Sequence, residues 1–346
     1  MVMLGMRIGL RAARAALATA VLATKVDDKI FVETTRRKDD KNVLFSRKIV
    51  NENDRTNLHL RLFQYQSCPF CCKVRAFLDY YGFSYDVVEV NPVTKAELKF
   101  SKEYKKVPIL STSAGTLTDS TLIISKLATF LASRSRTLSD VHELYPTVIV
   151  PRDGQNIMDY PHKYIVFPDG TSRNEDIASD RIERQWREWV DAYFIHLISP
   201  NVYRTFSESL ETFRWFSEFG DWDNIFTVSG RALAVYVGAF AMWLIAKRLK
   251  KRHNIVDERR AMSEAFDEWM DAIGPNRDYL GGSKPNLADL GMYGAMTAFS
   301  GCSAFRELVT EGSKIERWFT RMRNEICIKL RSRERFEKIL KGDEEQ

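Results

Sequence analysis

One stretch constrains the fold of this 346-residue chain more than any other, and it runs from Leu58 to Gly82. Leu58–Tyr65 (LHLRLFQY) alternates apolar and polar residues as a half-buried strand does. Cys68-Pro69-Phe70-Cys71 follows at once, and Lys73–Tyr81 then reads as a helix closed by Gly82. A cysteine at a helix entry, with proline at the first helical position, sits where unpaired N–H groups and the helix dipole favour negative charge. Cys68 is therefore expected to have a lowered pKa and to serve as a nucleophile. Cys71, one turn on, is expected to face inward, as a buried small residue or a resolving thiol, and Cys72 to pack in the core. A structural zinc site would need two further ligands at suitable spacing. Cys302 and Cys327 stand alone and the five histidines form no paired spacing, so no metal site is expected.

The next segment continues an α/β unit. Ser84–Val90 reads as a strand, Lys95–Phe100 as a short helical piece, and Val107–Leu110 as a strand opened by Pro108. A proline there cannot donate to the ladder, which leaves a neighbouring backbone group for a ligand. Asp119 and Ser120 stand at the start of the helical run Thr121–Leu131, where they would cap it or bind an ammonium or carboxylate from outside. A length of 346 predicts about two domains, and 45% hydrophobic with 28% charged residues is an ordinary globular balance. The charge of +6 (52 minus 46) is too mild to predict a nucleic-acid partner. An odd count of five cysteines, three of them clustered, argues for thiol chemistry in a reducing compartment rather than a disulfide framework.

Residues 1–57 read as a separate segment. The first 24 carry Arg7, Arg11 and Arg14 on one helical face and no acid, which is the composition of a mitochondrial transit peptide or a membrane-surface anchor, or of a frayed helix of no consequence. Lys25–Asn57 reads as a charged connector with one short strand at Ile30–Thr34. Ala232–Ala246 has no charge in 15 residues, which falls short of the about 20 that a spanning helix needs, so a helix buried in a soluble core is expected.

Residues 133–175 read as a linker or inserted hairpin, with strand-like pieces at Thr147–Val150 and Lys163–Phe167. From 176 to 340 nearly everything is helical. Ile182, Trp186, Trp189, Val190, Tyr193, Phe194 and Leu197 share one face and are expected in the core. Further helices fit Ser207–Phe219, Val228–Arg252, Asp257–Ile273, Leu287–Phe299 and Lys314–Lys329. A charged helix is expected to fray into a tail from Arg331. Asn286 and Asp289 form a capping box at the start of Leu287–Phe299.

The ordered set of strand, Cys-Pro-Phe-Cys, helix, strand, Val-Pro, Asp-Ser and helix across residues 58–132 resembles the N-terminal domain of glutaredoxins and glutathione transferases. The Asn286–Asp289 box resembles the one in transferase C-terminal domains. The fold class expected is thus an α/β thioredoxin-like domain (58–132) followed by an all-α transferase-like domain (176–340). The resemblance implies a cis Val107–Pro108 peptide. It also implies glutathione held by the Val107 backbone beside Pro108, with Asp119 and Ser120 at the γ-glutamyl end. The strings HLISPNVYRT, LIAKRLKKRH and GGSKPNLADLGMYG, with the thiol region, resemble the membrane-associated type 2 prostaglandin E synthases from about Leu58 to Ile326.

That resemblance implies an isomerase converting the lipid endoperoxide prostaglandin H2 to prostaglandin E2. Cys68 would be the key thiol, Tyr65 a phenolic hydrogen-bonding group, and Phe70 an apolar wall. Tyr65 reads equally well as an ordinary strand aromatic. Arg248 and Arg252, at i and i+4, would bind a carboxylate or close the site, or else simply compensate the helix dipole. The family is further associated with haem bound together with glutathione, with homodimers, and with peripheral membrane contact. The expected address is a mitochondrion or a Golgi or other intracellular membrane surface, with a processed form in the cytoplasm. The alternatives are a glutathione-dependent thiol–disulfide oxidoreductase or transferase, with Cys68 attacking and Cys71 resolving, and a haem- or iron–sulfur-binding module.

Overall fold

The structure is a computed structural model that describes residues 46–152, 155–169, 181–220 and 222–340. The N-terminal helix and the strand expected at Ile30–Thr34 lie outside the described residues, as does the end of the C-terminal tail.

Five strands form the first sheet: β1 (Arg47–Ile49), β2 (Leu60–Gln64), β3 (Tyr85–Glu89), β4 (Ile109–Thr112) and β5 (Gly115–Thr118). Their order is β1-β3-β2-β4-β5. β2 and β3 are parallel, with Leu60 opposite Tyr85 and Gln64 opposite Glu89, while β4 runs antiparallel to β2 and β5 antiparallel to β4. The parallel pair needs a crossover, and helix α1 (Pro69–Tyr81) supplies it. Gly82 ends α1 in the left-handed region at φ 77°, which glycine tolerates without a Cβ clash. The alternation of β2 sorts its side chains: Leu60 and Leu62 join the main core, and Phe63 joins Val88, Val90, Leu98 and Ile109 on the opposite face. α2 (Ser120–Ala132) follows β5. The Lys95–Phe100 piece is one 3-10 turn at Ala96–Leu98. The short strand β1 lies within the stretch read as a charged connector and pairs antiparallel with β3.

Residues 133–169 hold a helix that no sequence pattern above anticipated, α3 (Leu138–Glu143), opened by a Thr137–Asp140 capping box. They also hold the hairpin β6 (Val148–Arg152) and β7 (Gln155–Asp159). Lys163–Phe167 is not a strand. It runs as turns and extended chain that plug Phe167 against Leu122, Val141 and Tyr145, so its apolar residues serve packing rather than a ladder.

The rest is helical: α4 (Arg181–Trp189), a π turn (Val190–Phe194), α5 (Ile195–Val202), α6 (Phe206–Phe219), α7 (Trp222–Ile225), α8 (Val228–Arg252), α9 (Glu258–Ile273), α10 (Leu287–Thr297), α11 (Ser303–Leu308) and α12 (Lys314–Leu340). A thioredoxin-like α/β domain followed by an all-α domain is the observed architecture. Of the aromatic stripe, Trp186, Trp189, Val190, Phe194 and Leu197 pack in or against the core, but Ile182 and Tyr193 are exposed. The π turn widens the helix at Val190–Phe194, so a single 3.6-residue period no longer describes the face.

α8 departs from expectation in a second way. It is not a core helix: only 11% of its most apolar 18-residue window is buried. Val235, Ala239 and Ala246 face inward, whereas Leu233, Tyr236, Val237, Phe240 and Leu244 are exposed. Its partners α5, α6 and α7 lie on one side. An apolar run states that a helix seeks cover; it does not state that the same chain provides it.

The two domains meet where α10 crosses α1. A Cβ on Gly294 would lie 2.6 Å from the backbone N and Cα of Lys73, so the close approach needs glycine. Beside this crossing, Lys73 pairs with Asp191 in the π turn, and Asp191 also accepts from Thr121 and Tyr164. Asp289, fully buried, accepts from the N–H groups of Leu280, Gly281 and Asn286 and from Trp318 Nε1. Its capping box with Asn286 is present as expected.

Candidate active site at the thiol helix

Cys68 is the N-cap of α1, with extended backbone (φ −78°, ψ 123°) and Pro69 at the first helical position. Its carbonyl accepts the first helical bond from Cys72 N–H at 2.9 Å, and its own N–H donates to Tyr65 O at 3.1 Å. The Tyr65–Cys68 turn thus delivers the thiol to the open end of the helix. A hydrogen bond from the Cys71 thiol lowers the Cys68 pKa; the backbone N–H groups of Cys71 and Phe70 and the charge of Arg75 assist, against the opposing effect of burial. Cys71 moves the other way: burial and its bond to Cys68 push it well above the usual thiol value. Two thiols one turn apart are thereby split in acidity, Cys68 lowered and Cys71 raised, with Cys71 donating to Cys68. Cys72 is buried, donates to Gln66 O, and is pushed up to about 11 by burial.

Around this pair stand three phenols. Burial together with the charge of Cys68 pushes Tyr65 up to about 12, so it stays protonated and able to donate. Burial and Asp119 push Tyr104 up to about 12 as well, and its hydroxyl receives the Asp119 N–H. Tyr203, at the C-cap of α5 and fully desolvated, is raised by burial and also feels Cys68. Tyr104 and Tyr203 were not anticipated from sequence. The only signal for Tyr203 was its place in HLISPNVYRT.

The other expected site residues divide into two groups. The Val107–Pro108 peptide is cis, and β4 begins pairing with β2 only at Ile109, so Val107 lies ahead of the ladder. Asp119 adopts a positive φ of 66°, a conformation that costs a non-glycine residue on the order of 1–3 kcal/mol. Its side chain accepts from Thr121 N and Leu122 N at 2.9 and 3.2 Å, which caps α2, and Ser120 is the buried first residue of that helix. Phe70 packs half-buried on the core, 6.0 Å from the Lys73 ammonium. These residues all belong to the thiol domain. Arg248 and Arg252 are exposed on the last turns of α8, and the charge of Arg252 acts on His196, whose ring stacks on His253 at 4.4 Å. Among the described residues no group of three or more His, Cys, Asp or Glu could hold a metal ion.

Residues 62–130 match the family described as Glutathione S-transferase, N-terminal domain. Prostaglandin E synthase 2 from Danio rerio is 40% identical over 283 residues, covering 77% of this chain and 71% of that protein. The protein of the same name from Mus musculus is 43% identical over 279 residues, covering 78% and 71%. The chain belongs to the prostaglandin E synthase 2 family. Among solved structures, glutathione S-transferase III in apo form aligns over 80% of this chain and 97% of its own, at 14% identity and a TM-score of 0.45.

Proposed function

We propose that this member of the prostaglandin E synthase 2 family is an isomerase that converts prostaglandin H2 to prostaglandin E2 at Cys68. The observation that carries the reading is the thiol pair: Cys68 lowered by the Cys71 hydrogen bond at a helix N-terminus, with protonated Tyr65 beside it. A thiolate is a good nucleophile toward a peroxide. Attack of Cys68 Sγ on the oxygen at carbon 9 forms an S–O bond and breaks the O–O bond; the oxygen at carbon 11 takes a proton and becomes the hydroxyl. Removal of the proton on carbon 9 then forms the ketone, and the electron pair of the S–O bond returns to sulfur. No net oxidation results. Tyr65, held protonated, would donate to the departing oxygen, and half-buried Phe70 would offer an apolar wall for the acyl chain.

Glutathione is the cofactor these residues fit: Val107 lies free of the ladder, and Asp119 and Ser120 cluster with Tyr104 at the neighbouring helix start. When bound, it would contribute its own thiol beside Cys68. For haem, no set of axial ligands stands out among the described residues.

The homodimer and the peripheral membrane contact both find support in the exposed face of α8. We assign that face to a second copy of the chain, with a lipid surface as the other occupant to test. The mitochondrial or Golgi address rests on the acid-free composition of residues 1–24.

The test is prostaglandin E2 formation above spontaneous decay, by wild type, Cys68→Ser and Cys71→Ser. The isomerase requires loss in Cys68→Ser and substantial activity in Cys71→Ser. A thiol–disulfide oxidoreductase would instead reduce disulfides with glutathione and fail without Cys71.

A further inference from the structure

Cys68, Cys71, Cys72 and Arg75 follow one another at i, i+3, i+4 and i+7 along a single face of α1. Three of them are thiols, and the fourth is a guanidinium packed between the helix and the sheet. Arg75 Nη1 donates to Gln64 Oε1 at 2.6 Å and to Gln66 Oε1 at 3.1 Å; Nη2 donates to Gln66 O at 2.8 Å and Cys72 Sγ at 3.1 Å. Gln64 Nε2 in turn donates to Gln66 Oε1 at 2.8 Å and to buried Glu89 at 2.6 Å. Arg47 closes the network, pairing with Glu89 at 3.0 Å and donating to Gln66.

Two cations, Arg47 and Arg75, share buried Glu89: Arg47 pairs with it at 3.0 Å, and the charge of Arg75 acts on it as well. Asp79, one turn beyond Arg75 on the same helix, accepts from the Tyr85 hydroxyl, on which the charge of Arg75 also acts. Cys72 donates to Gln66 O and is pushed up to about 11 by burial, so it stays protonated. The groups that face Cys68 are Cys71, Cys72 and Arg75 on its own helix, and Tyr65, Tyr104 and Tyr203 from the elements packed against it. Glu97 bears on Tyr65. Arg75 is the cation that acts on Cys68 among them.

We infer that Arg75 is a positioning residue for the reaction: its fork ties the Gln66–Cys68 turn to β2, and its positive charge lies behind the thiol. Guanidinium suits both tasks, because it stays charged when buried and makes several directed bonds at once. The inference rests on Cys68 being the working thiol.

The experiment is site-resolved alkylation of Cys68 by iodoacetamide across pH 5–10 on the full chain, read by peptide mass spectrometry, beside kcat and KM for prostaglandin E2 formation. Wild type should show an alkylation midpoint below that of an ordinary thiol, near 8.5. Arg75→Gln should raise the midpoint by about one unit, a tenfold smaller thiolate fraction below it, and lower kcat more than it raises KM. Arg75→Lys keeps the charge and loses the fork, so its midpoint should return toward wild type while kcat remains reduced. Glu89→Gln, which deletes the shared carboxylate and keeps its shape, should move the midpoint down. An unchanged midpoint in folded Arg75→Gln, or an unchanged or raised midpoint in Glu89→Gln, overturns the inference; the second variant decides the matter if the first does not fold. An ordinary midpoint in wild type would instead overturn the role of Cys68 itself.

Discussion

At the scale of single residues, the site is built on an asymmetry between two thiols of the same type. Cys68 and Cys71 are one turn apart, yet the helix N-terminus favours charge on the first and burial opposes it on the second. The pH dependence follows from the direction of the first shift. With the Cys68 thiolate as the proposed active form, kcat/KM for the isomerisation should rise with pH and level off at a midpoint below about 8.5, the ordinary thiol value. A pH–rate profile checks this, and Tyr65, pushed up to about 12, should not contribute a falling limb below pH 10. Asp119 separates two roles in the same way. Asparagine caps a helix about as well as aspartate, so Asp119→Asn should leave Tm close to wild type. It should nonetheless weaken glutathione binding several-fold by isothermal calorimetry, if the carboxylate meets the γ-glutamyl ammonium. Cys68 was legible in the sequence because its chemistry is local: helix start, proline, thiol. Tyr104 and Tyr203 were not, because tertiary folding alone brings a loop and a helix end to that thiol.

At the scale of elements, the thiol helix is held from behind by α10. Gly294 meets the backbone of Lys73 directly, with no flexible side-chain end that could yield. Gly294→Ala should therefore force α10 off α1 and destabilise the protein by about 1–3 kcal/mol, an overpacking cost, despite alanine's better helix propensity. Thermal denaturation with Gly291→Ala as control measures it, since a Cβ at Gly291 meets only the end of the Lys73 side chain at 3.9 Å. The Lys73–Asp191 pair locks the same crossing. Burial alone would raise Asp191, but the charge and hydrogen bond of Lys73 outweigh it, and the carboxyl is held below its ordinary value. A depressed acid stabilises the fold above its unfolded pKa of about 3.9, and that contribution is lost as pH falls through the folded value. Asp191→Asn should cost about 3–5 kcal/mol at neutral pH by leaving Lys73 buried and unpaired. Its deficit in Tm should shrink on acidification below about pH 4. Helix boundaries were largely readable, since caps such as Thr227, Asp257 and Asn286 stand in the sequence. The π turn was not: nothing in the residues marks an extra residue in a turn, and the partner that Asp191 in it meets, Lys73, lies across the domain joint.

At the scale of the whole molecule, the unexplained surface is α8. Leu233, Tyr236, Val237, Phe240 and Leu244 recur at helical spacing on its open side, and exposed Lys247, Arg248, Lys251 and Arg252 continue the same helix. Glu218 stands near its other end, where Asp223 already pairs with Arg231, so two antiparallel copies would set the C-terminal cations against Glu218. Light scattering should find a dimer at micromolar concentration, and Val237→Glu should convert it to monomer without lowering Tm by more than about 0.5 kcal/mol equivalent, as expected for a surface change. A wild-type monomer that sediments with anionic vesicles, and a Val237→Glu variant that does not, would assign the face to lipid instead.

The amino-acid sequence by itself determined the strand–thiol–helix unit, the capped helices of the second half, and the place of Cys68 at a helix start. Each of these is set by residues within about two turns of one another, where propensity, capping and dipole act directly. Tertiary structure alone decided that half-buried Arg75 lies behind the thiol, that Tyr203 comes within the electrostatic field of Cys68, that β1 closes the sheet, and that α8 shows its apolar face outward. Those outcomes depend on which surfaces meet across long stretches of chain, and an apolar residue carries the demand for burial without naming the partner that meets it.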